Sequence, residues 1–337
     1  MIRFLLALFA LTIVVPAQAQ DRLVVSIWGG SWRDLVADTA AKKFTQETGV
    51  PVDYITGGTI DRLNKAKLAK GNPESDITFT TSHVGWLYVD SGLFEKLEMS
   101  KIPNAKNLVD EARFSPYHLG TWAYIYTIGY RTDVIKDIKF NSWNDLWNPE
   151  LKGKIAAPDF DPSHLIVVSA ILSGGDAEHW QKGEAKLKEL KPNFRAFYTD
   201  DANSQQLLAS GETPVQDVLS MNAYYMIGQG VPITLDIPKE GGVLGVDSVA
   251  IMSGSKKIDL AHKFINILYD ADVQAKIAQQ KKGSPVVLNA KLDPELAKLP
   301  GVFTSAAQWK QQIIIDPKLR AEKLPEWRKW FSENIMN

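Results

Sequence analysis

Asp247 is the only ionisable side chain in the short apolar strand that the sequence predicts after the Gly241-Gly242 turn. A carboxylate on a half-buried strand raises the free energy of the fold unless a cation or several hydrogen-bond donors meet it. Asp247 is therefore a candidate anchor for a bound amine. The alternative is that it caps or pairs with a neighbouring loop, and this segment alone supports both interpretations equally.

Two loops of the amino-terminal half carry side chains suited to binding. Trp28 and Trp32 flank two glycines, so the backbone can approach a ligand while an indole face lies over it. Thr81, Ser82 and His83 offer hydroxyl, ring and helix N-terminal donors that suit an anionic group. The structural alternatives are tryptophans that fill the core and a Ser82 that only caps a helix.

The middle of the chain adds two candidates. Asp161 lies with Asp159 in a predicted strand-to-helix loop, where one of them could receive a cation across a cleft. An aspartate before proline or serine is also ordinary turn chemistry. Tyr124 lies near the start of the predicted strand Ala123–Arg131 and is the second candidate.

Alternating strands and helices position these residues. The predicted strands Leu23–Trp28, Val52–Ile55 and Asp76–Thr80 are separated by the predicted helices Trp32–Thr48 and Thr59–Ala69. This βαβαβ order predicts a parallel sheet with helices on both faces. Ligands of such sheets bind beyond the carboxyl ends of the strands, which is where both amino-terminal loops lie.

The first residues indicate export. Arg3 precedes the apolar run Phe4–Val15 and an Ala-x-Ala end, so we expect a cleaved signal peptide at residues 1–19. The run is shorter than the roughly 20 residues that span a bilayer. The chain has no cysteine, hence no lipid-bearing Cys and no disulfide. We expect a periplasmic protein, with secretion to the medium as the alternative.

Composition limits the partners and the domain count. The net charge of −1 gives no reason to expect nucleic acid. The mature chain is long enough for two domains of ordinary size, and no linker or repeat separates them. We expect a monomer with two lobes, no cofactor and no metal site.

Several motifs occur in a fixed order: Trp28-Gly29-Gly30, Asp76-Ile77, Gly92-Leu93-Phe94, Leu151-Lys152-Gly153-Lys154-Ile155, and Pro-Lys-Glu-Gly-Gly-x-x-x-x-Asp-Ser-x-Ala-Ile around Asp247. In this order they resemble the periplasmic solute-binding proteins of ABC importers, most closely the spermidine/putrescine-binding branch. The resemblance implies a two-lobed α/β fold of the type II periplasmic-binding-protein class, with a mixed sheet flanked by helices in each lobe and a hinge between them. It implies lobes at residues 20–128 plus 246–287 and at 129–245 plus 288–337, and a membrane permease as partner.

The resemblance also assigns roles and shows departures. Asp247 matches the family's ammonium-binding Asp, and Trp28 matches its early aromatic residue. Gly245 stands where the family usually has an aromatic residue, and Gly30 where an acidic residue is often found. A shorter ligand with a single amine is therefore expected.

A zwitterionic ligand would also need an anion-binding group. Asp217 lies on a strand that lines the cleft in the family, and Arg195 lies on another predicted strand. Together they could hold an amine and a carboxylate or phosphonate, as in an ω-amino acid. The alternative for Arg195 is a surface ion pair.

Two other functions remain as alternatives. Tyr224 and Tyr225 resemble the adjacent tyrosines of ferric-ion binders in the same superfamily, which also contains thiamine-type binders. Packing of Tyr224 and solvent exposure of Tyr225 is the simpler interpretation. A secreted hydrolase is the remote alternative, because the chain contains none of the local catalytic motifs that we sought, and we predict no catalytic residue.

Overall fold

A computed structural model describes residues 22–337 of the chain. The signal peptide predicted at residues 1–19 lies outside the described residues. No helix within residues 22–337 combines the length and apolar character that crossing a bilayer requires.

One mixed sheet contains all of the strands that the structure describes. They are β1 (Leu23–Ile27), β2 (Val52–Thr56), β3 (Ile77–Thr81), β4 (His118–Arg131), β5 (Ile155–Pro158), β6 (Phe194–Tyr198), β7 (Val215–Leu219), β8 (Ile233–Asp236), β9 (Val243–Ile251) and β10 (Ser284–Pro285). The order across the sheet is β2-β1-β3-β9-β4-β7-β5-β6, and β8 and β10 each pair with β4.

Helices connect the strands. Within residues 22–337 the α-helices are α1 (Ser31–Val36), α2 (Lys42–Thr48), α3 (Thr59–Leu68), α4 (Ser82–Asp90), α5 (Ser163–Leu172), α6 (Glu184–Leu190), α7 (Asp201–Ser210), α8 (Ser220–Gly228), α9 (Ile258–Leu268), α10 (Ala271–Lys281), α11 (Pro294–Ala297), α12 (Ala306–Lys310) and α13 (Pro317–Phe331). A π-helical segment, Ala37–Ala41, joins α1 to α2.

The sheet has a parallel group of strands at each end and antiparallel strands in the middle. β1 pairs in parallel with β2 and β3, and β5 pairs in parallel with β6 and β7. This confirms the parallel arrangement predicted for the amino-terminal strands. The long strands β9 and β4 are antiparallel to each other and link the two groups, which makes the whole sheet mixed.

Most predicted elements are present, with two differences. The predicted helix Trp32–Thr48 begins at Ser31 and runs through the π-helical segment to Thr48. Gly49 follows with a φ of 71°, the left-handed conformation that commonly ends a helix. The segment Trp143–Trp147 is a 3₁₀ helix. The cap predicted at Ser82 is wrong, because β3 runs directly into α4 and Ser82 is already the first helical residue.

Aromatic residues of the carboxyl-terminal stretch fill part of the core. Trp309, Trp327 and Phe331 are almost completely buried. Trp330 is partly buried and packs edge-on against Trp180. Other residues of α13, among them Arg320 and Arg328, line the cavity described below.

Candidate functional site

A cavity of about 730 Å³ lies at the carboxyl ends of both parallel groups of strands. Its wall includes Trp28 after β1, Thr59 after β2, Asp161 after β5 and Asp201 after β6. This is the edge at which α/β sheets bind ligands, as the alternation predicted. The volume is that of a small-molecule site.

Seven of the ten candidate residues from the sequence line this cavity. They are Trp28, Trp32, Ser82, His83, Tyr124, Asp161 and Asp247. The structure therefore brings together side chains that are up to 219 positions apart, from Trp28 to Asp247. Their role in binding stays a prediction.

Asp247 is held by two neutral donors. Trp122 Nε1 donates to its Oδ2 at 2.8 Å, and the Tyr124 hydroxyl donates to its Oδ1 at 3.0 Å. Only 3% of the residue is exposed, and no lysine or arginine of the described chain forms an ion pair with it. The carboxylate is thus fixed in orientation, and within residues 22–337 Arg62 acts on it only through its charge, without an ion-pair contact.

Burial raises the pKa of Asp247 to about 7, although the hydrogen bonds from Tyr124 and Trp122 act in the opposite direction. The nearby carboxylate of Asp201 raises it further. A positively charged nitrogen placed beside Asp247 would favour its ionised form. Arg62, a cation of the protein that forms no ion pair with Asp247, also lowers this pKa.

Tyr124 occupies the space opposite Gly245. The two residues face each other across the β4–β9 pair, and a Cβ at position 245 would lie 2.1 Å from the Tyr124 ring. Both residues line the cavity. The aromatic wall that Gly245 lacks is thus supplied by Tyr124 from the neighbouring strand.

This packing predicts how a methyl group added at position 245 changes the stability of the protein. Gly245→Ala is expected to lower the free energy of unfolding by about 1 to 3 kcal/mol, because the Tyr124 ring must move and overpacking of a filled core has a cost of this size. Urea denaturation measures the change. Gly228→Ala is the matched control, since a Cβ at that glycine has no other atom within 4 Å. Equal stability of the two variants would contradict the packing argument.

Stacked indoles support the cavity wall on the side of Trp28 and Trp32. Trp32 stacks on Trp122 with ring centroids 5.5 Å apart, and Trp122 stacks on Phe79 at 5.6 Å. Lys281 Nζ lies 4.3 Å from the Trp32 ring, so this indole already contacts a cation of the protein. Trp28 is tied to the wall by a 2.7 Å hydrogen bond from its Nε1 to Thr59 Oγ1.

Asp161 is neutralised by a residue that the sequence did not single out. Its Oδ2 accepts a hydrogen bond from Arg320 of α13, and its Oδ1 accepts from Ser163 Oγ. Burial alone would raise the pKa of Asp161, but the positive charge of Arg320 holds it below the usual value. Asp161 thus has a cationic partner, and Asp247 has none.

His83 is neutral in this setting. Burial lowers its pKa to about 3, and the positive charge of Arg320 acts in the same direction. Its Nε2 lies 4.0 Å from Asp161 Oδ2. The ring can therefore serve a ligand as a hydrogen-bonding group but not as a charge.

Three candidates lie outside the lining of the cavity. Arg195 is on an exposed face of β6. Asp217 is buried beneath the cavity, where its Oδ2 lies 3.3 Å from His164 Nδ1. The Tyr224 hydroxyl donates to the Pro300 carbonyl oxygen at 2.6 Å, and Tyr225 is exposed. The zwitterion site at Arg195 and Asp217 and the tyrosine pair therefore do not face this cavity.

Sequence reasoning missed several charged residues of the wall. Asp200 and Asp201 follow β6, and Arg320 and Arg328 lie on α13. The position of the two aspartates after a predicted strand was a signal that could have identified them. The helix that contains the arginines carried no such signal. It is far from the other elements of the wall along the sequence, and only the folded structure brings it next to them.

No cluster of three or more His, Cys, Asp or Glu side chains in the described part of the chain is arranged to hold a metal ion. The hydrogen-bonding and charged groups of the wall are suited to an organic ligand. Five carboxylates, from Asp61, Asp161, Asp200, Asp201 and Asp247, line the cavity together with two guanidinium groups.

The chain is similar to named binding proteins along most of its length. It is 28% identical over 334 residues to the spermidine/putrescine-binding periplasmic protein of Escherichia coli (strain K12), with 92% of this chain and 93% of that protein covered. It is 24% identical to the putrescine/cadaverine-binding protein of Pseudomonas aeruginosa, with 87% and 89% covered.

Solved structures agree on the fold. The chain superposes with a TM-score of 0.81 on the Atu4243-GABA receptor, at 25% identity and with 94% of this chain and 98% of that chain covered. The TM-score is also 0.81 for an ABC transporter protein from Clostridium perfringens, at 28% identity with 93% and 100% covered. The sequence model of bacterial extracellular solute-binding proteins matches residues 39–304. The chain belongs to the family of bacterial extracellular solute-binding proteins.

Proposed function

We propose that the protein is a periplasmic binding protein that captures a small amine-bearing solute and delivers it to an ABC importer. The observation that carries this proposal is Asp247, a buried carboxylate of the cavity wall that accepts hydrogen bonds from Trp122 and Tyr124 and forms no ion pair with a lysine or arginine of residues 22–337. An ammonium group is the partner that such a carboxylate lacks.

The charge of the cavity supports a cationic ligand. Five carboxylates against two guanidinium groups leave an acidic surface, and Arg320 is already paired with Asp161. Such a surface raises the local concentration of cations. Relatives named for spermidine, putrescine and cadaverine binding fit the same chemistry.

The cavity supports two classes of ligand that differ in the number of amines. The absent acidic side chain at Gly30 favours a single amine, whereas Asp200 and Asp201 could receive a second nitrogen. The name of the Atu4243-GABA receptor points to an ω-amino acid as another possible class. Both diamines and ω-amino acids belong in the first experiment.

Two lobes would close around the ligand. We assign residues 20–128 plus 246–287 to one lobe and 129–245 plus 288–337 to the other, with β4 and β9 as connecting strands. Cavity residues come from both assigned lobes, with Trp28 and Asp247 on one side and Asp161 and Asp201 on the other. A ligand that contacts both sides stabilises the closed form, which a permease can recognise. We assign a monomer in the periplasm.

A calorimetric panel tests the proposal. It pairs each amine with the same carbon chain lacking nitrogen: 1,4-diaminobutane with butane-1,4-diol, and 4-aminobutyrate with butyrate. We expect heat of binding from at least one amine and from no nitrogen-free partner. No heat from any amine would remove the proposal. Recovery of unchanged ligand after denaturation distinguishes a receptor from an enzyme.

A further inference from the structure

Three polar residues of the cavity wall keep hydrogen-bonding atoms that no other residue within 22–337 satisfies. They are Ser82 and His83 of α4 and Arg320 of α13, and each of them is more than nine-tenths buried. Arg195 and Asp217, which the sequence indicated for a zwitterionic ligand, do not line this wall. The three residues are therefore the candidates for binding an anionic group of the ligand.

Arg320 is held in place by two acceptors and has one nitrogen left for a ligand. Its Nη2 donates to Asp161 Oδ2 and, at 2.9 Å, to His164 Nε2. Because an arginine only donates, His164 carries its proton on Nδ1, which faces Asp217 Oδ2 at 3.3 Å. Nη1 of Arg320 has no partner among residues 22–337 and, unlike Nε, is not fully enclosed. Since Arg320 lines the cavity, Nη1 is available there as a charged donor.

His83 and Ser82 add neutral donors next to this guanidinium. His83 Nε2 lies 4.0 Å from Asp161 Oδ2, the same oxygen that accepts from Arg320, so the ring lies beside the guanidinium. In the part of the chain that the structure describes, neither the ring nitrogens of His83 nor the Ser82 hydroxyl form a hydrogen bond. A neutral imidazole carries one N–H, and a hydroxyl carries one O–H, so both side chains can donate to an anion.

The two residues also begin a helix that is not capped by a side chain. α4 has nine residues, and its N-cap residue Thr81 forms no side-chain hydrogen bond to the helix. The first N–H groups of a helix have no acceptor within it and carry a partial positive charge. Thr81 lies opposite Asp247 in the β3–β9 pair, and Ser82 follows it directly. The donors of α4 are therefore close to the proposed amine site.

This end of the cavity offers mainly donors. The Asp161 carboxylate already accepts from Arg320 and Ser163. An ammonium group only donates, so a second amine finds no free carboxylate at this end, whereas a carboxylate of the ligand can accept from all of these donors. Hydrogen bonds from a guanidinium to a carboxylate are also among the stronger ones in proteins. Arg328, the other guanidinium of the wall, is exposed, where ion pairs contribute little.

We propose that the ligand is a zwitterion whose amine binds Asp247 and whose carboxylate is bound by Arg320 Nη1, His83 and Ser82 at the N-terminus of α4. This inference rests on the proposed function and names the class of amine-bearing solute as amino acids. Because Ser82 directly follows the residue opposite Asp247, the two charged groups of the ligand are only a few carbon atoms apart.

Calorimetry with ligands that have equal numbers of carbon atoms tests the class. 3-Aminopropanoate is compared with 1-aminopropane and 1,3-diaminopropane, and 4-aminobutyrate with 1-aminobutane and 1,4-diaminobutane. We expect at least one amino acid to bind roughly 10-fold or more tightly than both of its comparison amines, because only the amino acid uses the donors at α4 and Arg320. If every amino acid binds no more tightly than its comparison amines, this inference is wrong and the proposed function stands. Absence of heat from every ligand would remove both.

Ser82→Ala and His83→Phe test the residues. Each variant removes hydrogen-bonding atoms, and phenylalanine keeps a ring at position 83. We expect each to weaken the binding of the tightest amino acid by roughly 10-fold and to leave the affinity for the matched monoamine unchanged. Ser91→Ala is the control, since Ser91 lies at the other end of α4 and outside the cavity lining. Undiminished binding of the amino acid, or an equal loss for amino acid and monoamine, would overturn the assignment.

A crystal structure of the complex tests the role of Arg320 directly. Replacement of Arg320 would leave the buried Asp161 without its cation, so a failure to fold would not report on the ligand. In the complex of the unaltered mature protein we expect the carboxylate of the amino acid at hydrogen-bonding distance from Arg320 Nη1. A carboxylate bound elsewhere in the cavity, with water at Nη1, would overturn the proposal.

Discussion

Asp247→Asn is expected to weaken the binding of an amine ligand by about 2 to 5 kcal/mol, which is the usual effect of removing one partner of a buried charge pair. This corresponds to a loss of affinity of roughly 30-fold or more. The substitution preserves shape: the amide oxygen can accept from Trp122, and the amide nitrogen can donate to the Tyr124 hydroxyl. The substitution removes the charge and one acceptor oxygen, and it turns the Tyr124 hydroxyl from a donor into an acceptor. Titration calorimetry with the tightest amine of the panel measures the effect.

Stability of the unliganded variant separates lost binding from lost folding. The pKa of Asp247 is raised from 3.8 in the unfolded chain to about 7 in the fold. A raised carboxyl pKa means that the folded state binds the proton more tightly, so stability falls as the pH rises between these values and stays low above about 7. Asp247→Asn should therefore melt no lower than the wild type at about pH 8.

A surface carboxylate provides the matched control for this experiment. Asp133→Asn makes the same change in net charge at an exposed residue that is paired with Arg131. It should leave amine affinity unchanged. Full amine binding by Asp247→Asn would show that the carboxylate is not the anchor, and a large loss of stability in that variant would refute the unpaired state of Asp247.

The strands and the binding edge could be predicted because they depend on local patterns. Apolar runs alternating with helical periodicity define the parallel groups, and in a parallel group every strand ends at the same edge. Trp28, Thr81 and Asp161 are at or just after the carboxyl ends of β1, β3 and β5, so the order of elements alone brings them together. Asp247 was identified by its isolation in an apolar strand.

The other residues of the cavity wall are brought together by contacts between distant parts of the chain, which the sequence alone does not reveal. Arg320 meets Asp161 across 159 positions of the chain, and nothing near Arg320 indicates that contact. Arg195 was predicted on the correct strand, but adjacent residues of a strand point to opposite faces, and the sequence did not define which face meets the cavity. The Tyr124 ring occupies the space beside Gly245, and this could be predicted only if the register between β4 and β9 were known.

The two buried aspartates of the cavity wall, Asp161 and Asp247, differ in their partners. Asp161 and Arg320 neutralise each other and belong to loops and helices that come together only in the folded chain. Asp247 lies in a central strand, is oriented by two neighbours and forms no ion pair within residues 22–337. The acidity of Asp247 is then the property that sets how binding responds to pH.

Amine affinity is expected to fall by about 100-fold between about pH 8 and pH 5, because Asp247 becomes protonated below its pKa of about 7. A primary amine, with an ordinary pKa near 10, stays charged throughout this range. His83, whose pKa is lowered to about 3, does not change its charge there. Burial also raises the pKa of Asp201, which would strengthen the loss at acidic pH.

Calorimetry in buffers with different enthalpies of ionisation tests the cause of this pH dependence. Near pH 7 the wild type should release protons as the amine binds, since the ligand converts protonated Asp247 to the carboxylate. Asp247→Asn should show weak affinity that varies much less with pH and should release fewer protons. An affinity of the wild type that stays constant from about pH 5 to pH 8 would contradict this prediction. Either a cation of the protein then keeps Asp247 ionised throughout, or another acidic group binds the amine.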